Sequence, residues 1–448
     1  MRDILVKILF AGLFLLIFLS VNPHQVMPAY ADTSHCGTIN SDEIWSSGGN
    51  VHVIDCSVTV AVGVTLTISE GTIIKFKPGT RLLIDGALKV LGTSGNPVYF
   101  TSYADDTVGG DTNGNGASTG SQGNWSDIRF TDTSDDANSL IDYAIIRYGG
   151  DNYLYNLSGA VTLLDASPTI QNTTINDNEY CAIYANLHAF PTLDSNTLEY
   201  NERNGFCLSG GTLDIDAVWD VTDTSYFLLD SATVAVNQTL TVDPGVIVKF
   251  GQGKRLAVNG ALKVLGTSGN PVYFTSYADD TVGGDTNGNG ASTGSQGNWS
   301  DIRFTDTSDD ANSLIDYAII RYGGDNYLYN LSGAVTLLDA SPTISYTQIY
   351  QNEYAGILAS GSQPKLTCND IYLNSNFGIY NQTTATVVDA SNQWWGASSG
   401  PYHETSNPNG EGNTVTDGVN FIPWRLQPCT LPPEPEKLKV FLPLTIRD

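Results

Sequence analysis

Hydrophobic and polar residues alternate along this chain with a period of two. Residues 57–92, SVTVAVGVTLTISEGTIIKFKPGTRLLIDGALKVLG, show the pattern, and Gly or Pro-Gly interrupts it every six to eight residues. Such alternation is typical of short β-strands that bury one face. After residue 31 no stretch sustains the i, i+3, i+4 spacing of an amphipathic helix. The pattern predicts an all-β chain, built as a sandwich, a barrel or a solenoid.

A long internal repeat bears on that choice. Residues 86–170 return without one change as residues 260–344, an offset of 174 residues. Weaker similarity extends the unit to about 37–210 and 211–384. A solenoid accommodates a second copy of itself because each layer contacts only its neighbours. The repeat therefore favours a solenoid.

A shorter period supports the same choice. Proline and asparagine landmarks recur after 23 residues in the first unit and after 22 in the second. The pairs are Pro168 and Pro191, Asn178 and Asn201, Pro342 and Pro364, and Asn352 and Asn374. One turn of a parallel β-helix has this length, and it stacks equivalent residues about 4.8 Å apart. We predict a ladder of hydrogen-bonded Asn side chains at one turn and an apolar inner face.

Three motifs carry a family resemblance. They are VTLTISEGTIIKF with its copy QTLTVDPGVIVKF, GNWSDIRF followed by YAIIRYGG, and the closing NQWWGASSGPYHETSNPNGEGNTVTDGVNFIPW at residues 392–424. Through them the chain resembles the secreted right-handed parallel β-helix repeat proteins, the pectin-lyase-like superfamily in the broad sense, over about residues 37–427. The resemblance implies a right-handed parallel β-helix, here built from two tandem 174-residue superunits. These motifs are specific for a fold and much less so for an activity.

The two ends of the chain differ from the repeats. Residues 1–31 combine a charged start, an apolar run and Ala29-Tyr30-Ala31, which is typical of a secretory signal peptide. An uncleaved membrane anchor is the alternative. We therefore expect the protein to be secreted or held at the cell surface. The predicted divisions are the signal peptide 1–31, an N-terminal cap 32–56, superunit one 57–210, superunit two 211–384, a closing coil and cap 385–429, and a Pro-rich linker with an apolar tail 430–448.

Charge excludes some partners. The chain has 47 acidic and 20 basic side chains, a net charge of −27. Phosphate backbones and anionic lipids repel such a chain, so we expect no nucleic-acid partner and no insertion of the mature chain into a membrane. An extracellular surface that holds cations suits this composition.

The six cysteines permit disulfides in an oxidising compartment. The pairs with an evident structural role are Cys36 with Cys56 at the cap and Cys368 with Cys429 at the tail. Stacking of the Asn178 and Asn201 coils predicts that Cys181 lies opposite Asn204. Cys207 would then be about three residues away, too far for a bridge without a shift of register.

An acidic loop resembles the first half of a calcium loop. Residues 111–116, DTNGNG, place oxygen ligands on alternate residues before a glycine, and they recur at 285–290. The twelfth position is Gln122, or Gln296 in the copy, where a calcium loop has a bidentate Glu. We predict calcium as the cofactor, with a solvated acidic loop as the alternative. The predicted ligands are Asp105, Asp106, Asp111, Asn113, Asn115, Asp279, Asp280, Asp285, Asn287 and Asn289.

Tyrosines surround a Gly-Gly-Asp segment in each repeat. The predicted ligand-binding residues are Tyr148, Tyr153, Tyr155 and their copies Tyr322, Tyr327 and Tyr329. Exposed rings beside Asp and Asn suit carbohydrate, because the rings cover sugar C–H groups while polar edges meet hydroxyls. Packing of the rings over the coil is the alternative. We expect Trp394 and Trp395 to plug the open end of the solenoid.

Evidence for catalysis is sparse. Glycoside hydrolysis needs two carboxylates facing one sugar, and adjacent residues such as Asp135 and Asp136 point to opposite faces of a strand. Arg129 and Arg147 are candidate lyase bases, but we expect them to form surface ion pairs. We predict a non-catalytic binding or adhesion scaffold whose partner is an extracellular polysaccharide or cell-surface glycan. The alternatives are a polysaccharide lyase or glycoside hydrolase of the β-helix type, and a structural surface-layer protein.

Overall fold

The computed structural model describes residues 32–150, 158–325 and 331–429. These residues form 39 β-strands and one single-turn 3-10 helix, Asp136–Asn138. The first half contains β1 (Thr33–Ile39), β2 (Glu43–Trp45), β3 (Val51–Val60), β4 (Thr65–Ser69), β5 (Ile73–Phe76), β6 (Leu82–Ile84), β7 (Ala87–Leu91), β8 (Val98–Ser102), β9 (Ile128–Phe130), β10 (Leu140–Asp142), β11 (Ala144–Arg147), β12 (Gly159–Leu163), β13 (Thr169–Gln171), β14 (Thr174–Asn176), β15 (Cys181–Ala185), β16 (Thr192–Asp194), β17 (Thr197–Glu199) and β18 (Arg203–Leu208). The second half contains β19 (Gly211–Leu213), β20 (Ala217–Trp219), β21 (Tyr226–Leu228), β22 (Ala232–Val234), β23 (Thr239–Val242), β24 (Ile247–Phe250), β25 (Leu256–Val258), β26 (Ala261–Leu265), β27 (Val272–Ser276), β28 (Ile302–Phe304), β29 (Leu314–Asp316), β30 (Ala318–Arg321), β31 (Gly333–Leu338), β32 (Thr343–Ser345), β33 (Gln348–Tyr350), β34 (Ala355–Ser360), β35 (Lys365–Thr367), β36 (Asp370–Tyr372), β37 (Phe377–Asn381), β38 (Val388–Asp389) and β39 (Val419–Asn420).

Each coil gives one strand to each of three parallel ladders. In the first half the ladders run β5-β8-β11-β14-β17, β6-β9-β12-β15-β18 and β4-β7-β10-β13-β16. Thr169 lies opposite Thr192, and Thr343 opposite Lys365, so the steps of 23 and 22 residues are confirmed as single coils. The predicted fold, a right-handed parallel β-helix, is confirmed. Its hand is the one that crossover connections between parallel strands adopt almost without exception.

The core is a stack of like side chains inside the rod. One inward column, listed in coil order, is Leu82, Ile128, Val161, Ile183 and Phe206, each at most 1% exposed. Full burial of one such side chain contributes about 1.5–3 kcal/mol. Because every coil adds its own set, the core continues along the rod instead of closing into a globule.

The predicted asparagine ladder forms in both units. Asn178 Nδ2 donates to Asn201 Oδ1 at 2.8 Å, and Asn352 Nδ2 donates to Asn374 Oδ1 at 2.8 Å. Asn178 Oδ1 also accepts the backbone N–H of Gly149 at 2.7 Å. The ladder therefore satisfies buried polar groups at the turn, which would be costly to leave unpaired.

All six cysteines are paired. Cys36–Cys56 and Cys368–Cys429 form as expected, with Cα atoms 4.9 and 5.7 Å apart. Cys181 also bonds to Cys207, with Cα atoms 6.3 Å apart. The expected register is confirmed for Ile183–Phe206, Tyr184–Cys207 and Ala185–Leu208. The inference that Cys207 lies too far from Cys181 for a bridge was wrong. Cys181 lies opposite Arg203, and β18 has one extra residue before Phe206 pairs with Ile183. This irregularity changes the pairing at Cys181 and leaves Cys207 opposite Tyr184.

The two units join with an offset of one face. β18 ends the β9 ladder of the first unit and then pairs with β21, which leads through β24 to β27. β27 is the copy of β8, which belongs to a different ladder from β9. The second unit is therefore turned by one face of the three-sided rod relative to the first. Six ladder steps separate β9 from β27, about 29 Å along the axis.

Candidate functional site

The described tyrosines of the predicted glycan loop are packing residues in this fold. The guanidinium carbon of Arg147 lies 5.3 Å from the centroid of the Tyr148 ring. On another side the ring touches Gly120, where an added Cβ would overlap it. Tyr322 repeats these contacts and is 8% exposed. Tyr153, Tyr155, Tyr327 and Tyr329 lie outside the described residues.

Asp105 and its copy Asp279 are buried partners of arginine. Asp105 Oδ2 accepts from the Thr101 hydroxyl at 2.5 Å and from Arg147 Nη2 at 2.6 Å. Burial raises the pKa of Asp105, but the hydrogen bonds from Thr101 and Thr107 and the Arg147 charge outweigh it and leave the pKa lowered. The positive charge of Arg147 therefore already balances the negative charge of the Asp105 carboxylate. Arg321 makes the same ion pair with Asp279, at 2.7 Å.

The other predicted calcium ligands close turns in their own loops. Asp111 accepts the backbone N–H groups of Asn115 and Gly116 at 3.1 and 3.0 Å, and Asn113 Oδ1 accepts the former at 3.1 Å. The copies Asp285, Asn287 and Asn289 repeat this arrangement. Asp106 accepts from Ser118, and Asp280 from Ser292. Among the described residues no group of three or more His, Cys, Asp or Glu side chains is placed to hold a metal ion. Calcium stays a prediction.

The glutamines at the twelfth loop position bind neighbouring coils. Gln122 Nε2 donates to the Tyr200 carbonyl at 2.9 Å, and Gln296 Nε2 donates to the Leu373 carbonyl at 3.2 Å. Two buried lysines, which the sequence analysis missed, also fix the loops. Lys75 Nζ donates to the Gly110 carbonyl at 2.7 Å, and its copy Lys249 donates to Gly284 at 2.6 Å. Burial lowers the pKa of Lys249 to about 8.

Arginine ion pairs form, but with buried aspartates and not at the surface as expected. Arg129 Nη2 lies 2.6 Å from Asp127 Oδ2, and Arg303 lies 2.7 Å from Asp301. Both aspartates are fully buried. These arginines hold their own strands through the buried aspartates.

An outward aromatic column marks the second unit. Ile320, Ile349 and Ile371 point inward and are fully buried, so the residue after each points outward. These next residues are Arg321, Tyr350 and Tyr372, one on each of β30, β33 and β36. Arg321 Nη1 donates to the Tyr350 hydroxyl at 2.9 Å. The rings of Tyr350 and Tyr372 stack with centroids 4.9 Å apart.

Trp394 extends this column beyond the last coil. Its ring centroid lies 5.2 Å from that of Tyr372, at an angle of 58°. The neighbouring Trp395 is fully buried in the core. The two tryptophans therefore differ: Trp395 closes the end of the core, as expected for a plug, whereas Trp394 stays partly exposed beside the column.

Tyr372 and Trp394 border a groove of about 460 Å³. Its polar lining includes Ser375, Asn376, Glu411, Asn413 and Thr414. Of the groove's lining residues, Glu411 carries the one carboxylate. A partly apolar wall opposite amides and hydroxyls is the general form of a small-ligand site.

Within its described residues, the first unit has no equivalent of this column. In register with Arg147 it carries Asn176, and then Glu199, where the second unit has tyrosines. The difference arises just beyond the identical block, which ends at residue 344. The sequence held a signal that we did not use, because Tyr350, Tyr372 and Trp394 are spaced by 22 residues, one coil each.

Comparisons with known proteins add little. No family model and no curated protein sequence matches the chain. Among solved structures it matches the A-module of the mannuronan C-5 epimerase AlgE4 of Azotobacter vinelandii, at 13% identity and a TM-score of 0.26, over 86% of this chain and 87% of that chain. None of the helices within residues 32–150, 158–325 and 331–429 is long and apolar enough to cross a membrane.

Proposed function

We propose that this protein is a secreted or cell-surface β-helix scaffold that binds carbohydrate without catalysis. The observation that carries the proposal is the aromatic column of Tyr350, Tyr372 and Trp394, which leads into the groove beside it. Aromatic faces bury sugar C–H groups, and the amides and hydroxyls of the groove can exchange hydrogen bonds with sugar hydroxyls.

The polar groups of the groove favour binding over hydrolysis. A glycosidase places two carboxylates on opposite sides of one bond. Glu411 is the one carboxylate among the groove's lining residues, and Arg321 is held by Asp279 and Tyr350. The described lining residues can therefore orient a sugar but include no acid and base pair for its cleavage.

The test uses the full chain and immobilised cellulose, xylan, mannan, chitin, pectate and alginate. We expect binding to at least one polymer, and a loss of about 10- to 100-fold when Tyr372→Ala and Trp394→Ala are combined. Tyr346→Ala is the matched control, because Tyr346 stacks on Tyr317 at 4.8 Å but does not line the groove.

Three results would contradict the proposal. One is full binding by the double variant, and another is an equal loss in Tyr346→Ala. The third is release of reducing ends or unsaturated products from any polymer, which would make the chain a glycoside hydrolase or a polysaccharide lyase.

A further inference from the structure

A second cleft lies where the two units meet. It has a volume of about 540 Å³, and its lining includes Tyr180, Glu202, Phe227, Gln252, Tyr277 and Asn287. Three separate parts of the chain form it. They are the last coils of the first unit, the first coils of the second unit, and the long loop that follows β27.

Hydrogen bonds hold the loop across the junction. Asn204, in the last coil of the first unit, donates its backbone N–H to the Thr286 carbonyl at 2.9 Å. Its Nδ2 donates to the Asp285 carbonyl at 2.9 Å, and Lys249 holds Gly284. The shape of the cleft is therefore held by hydrogen bonds, because the loop that forms one wall is bound to both units.

Below the cleft lies a layer of buried aromatic rings, Tyr180 and Phe227, over which the partly exposed ring of Tyr277 reaches the cleft. Phe227 and Tyr277 stack with their planes 12° apart and their ring centroids 5.9 Å apart, and of the two Tyr277 is the more exposed. The Tyr180 ring lies 4.2 Å from the Arg203 guanidinium carbon. Tyr180 and Phe227 belong to one apolar cluster with the Cys181–Cys207 disulfide. The bridge fixes the strands that carry these rings.

Polar groups surround this aromatic layer. Glu202 and Gln252 are exposed, and Asn287 is half-buried on the loop. Partial burial raises the pKa of Glu202 despite the opposing charge of Arg203. A carboxylate and two amides beside aromatic faces can accept and donate hydrogen bonds to the hydroxyls of a sugar ring.

We propose that the junction cleft is a second glycan site, which takes a short segment of a neutral polysaccharide. The proposal rests on the function proposed above and adds a distinct site to it. Phe227 and Tyr372 point outward from the same sheet, five ladder steps apart, or about 24 Å along the rod. A long polymer engages both sites with an effective concentration that a short oligomer lacks.

Tyr103, the equivalent of Tyr277 in the first unit, provides a matched control variant. Tyr103 holds the position of Tyr277 in the identical first loop, but Val53 stands where Phe227 is, and Lys77 lies over the Tyr103 ring at 5.2 Å. Tyr103→Ala therefore makes the same change in the same loop away from the cleft.

The experiment is calorimetric titration of the full chain with cellohexaose, xylohexaose, mannohexaose and chitohexaose. We expect two oligomers per parent chain for the preferred sugar. Tyr277→Ala and Glu202→Gln should each remove or weaken one site about tenfold, whereas Tyr103→Ala keeps both. Trp394→Ala should remove the other site. Unchanged melting temperatures show that the variants fold. Because Glu202 is exposed, its substitution should disturb folding less than that of Tyr277.

The outcomes separate the two proposals. One oligomer per chain, lost in Trp394→Ala but kept in Tyr277→Ala and Glu202→Gln, overturns the junction site and leaves the groove intact. Equal losses in Tyr103→Ala and Tyr277→Ala also overturn it. No binding of any hexasaccharide or polymer by the parent chain overturns both.

Discussion

The exposure of a tyrosine in this rod depends on the groups that pack against its ring. Tyr322 follows the inner strand at a turn and is covered by its loop, whereas Tyr372 points outward from β36 and stacks on its neighbour. Both are preceded by apolar strands in the sequence. Composition near a residue therefore says less about exposure than its place in the coil does.

Asp370 gives a residue-scale prediction about pH. It is 2% exposed, its Oδ1 accepts the Cys429 N–H at 2.8 Å, and burial raises its pKa to about 6 from an ordinary value of 3.8. The folded state therefore holds this proton more tightly than the unfolded state. Its contribution to stability is fully present below about pH 4 and is lost as the pH rises through 6.

The variant Asp370→Asn removes this titration while it keeps an acceptor for Cys429. We expect it to be more stable than the parent above pH 6, by about 1–2 kcal/mol, and to lose this advantage near pH 4. Urea denaturation from pH 4 to pH 7 measures the difference. A difference that does not change with pH would show that Asp370 is not the titrating group.

At the scale of elements, the two identical loops after β8 and β27 make different contacts with the rest of the chain. Gly109 of the first loop lies near Val51, whereas the equivalent Gly283 lies near Ser225 and the second loop also binds Asn204 across the junction. Loops of the same sequence thus meet different surfaces, because the coils below them differ. The contacts that each loop makes with other coils could therefore not be predicted from the loop sequence and are seen only in the folded structure.

Calcium binding by these loops is a prediction at the same scale. If Asp106, Asp111 and their copies bind the ion, millimolar calcium should raise the melting temperature over that in EDTA. A ligand at 100 times its Kd stabilises the native state by about 2.7 kcal/mol. Asp111→Ala combined with Asp285→Ala should abolish this gain. Equal melting temperatures for the parent chain in calcium and in EDTA would reject the loops as calcium sites.

At the scale of the molecule, the offset between the units decides what faces a partner. The two identical loops leave the rod from different faces, about 29 Å apart along the axis. They do not present a doubled surface on one side. The lining residues of the aromatic groove all lie outside the identical block, and those of the junction cleft lie partly outside it.

The net charge of −27 gives a prediction about polymer class. A neutral polymer should bind with an affinity that hardly depends on salt. Pectate and alginate should bind poorly at 10 mM salt, where repulsion reaches about 30 Å, and somewhat better at 1 M. Affinity measurements at both salt concentrations test this. Tight pectate or alginate binding that weakens with added salt would contradict it.

The sequence by itself determined the coil. Its period of 22–23 residues, the inward apolar positions and the Asn178–Asn201 ladder all follow from local repetition, because each coil packs on the next by the same rule. Two disulfides, Cys36–Cys56 and Cys368–Cys429, were also within reach of the sequence.

Only the tertiary structure decided the rest. The bridge between Cys181 and Cys207 forms although Cys207 lies opposite Tyr184, and the one-face offset follows from how β18 continues into β21. Neither depends on a repeated pattern, since both arise at a unique junction where coil lengths and pairing register must be reconciled. The aromatic column likewise required the register of β33 and β36, because a shift of one residue would turn its rings into the core.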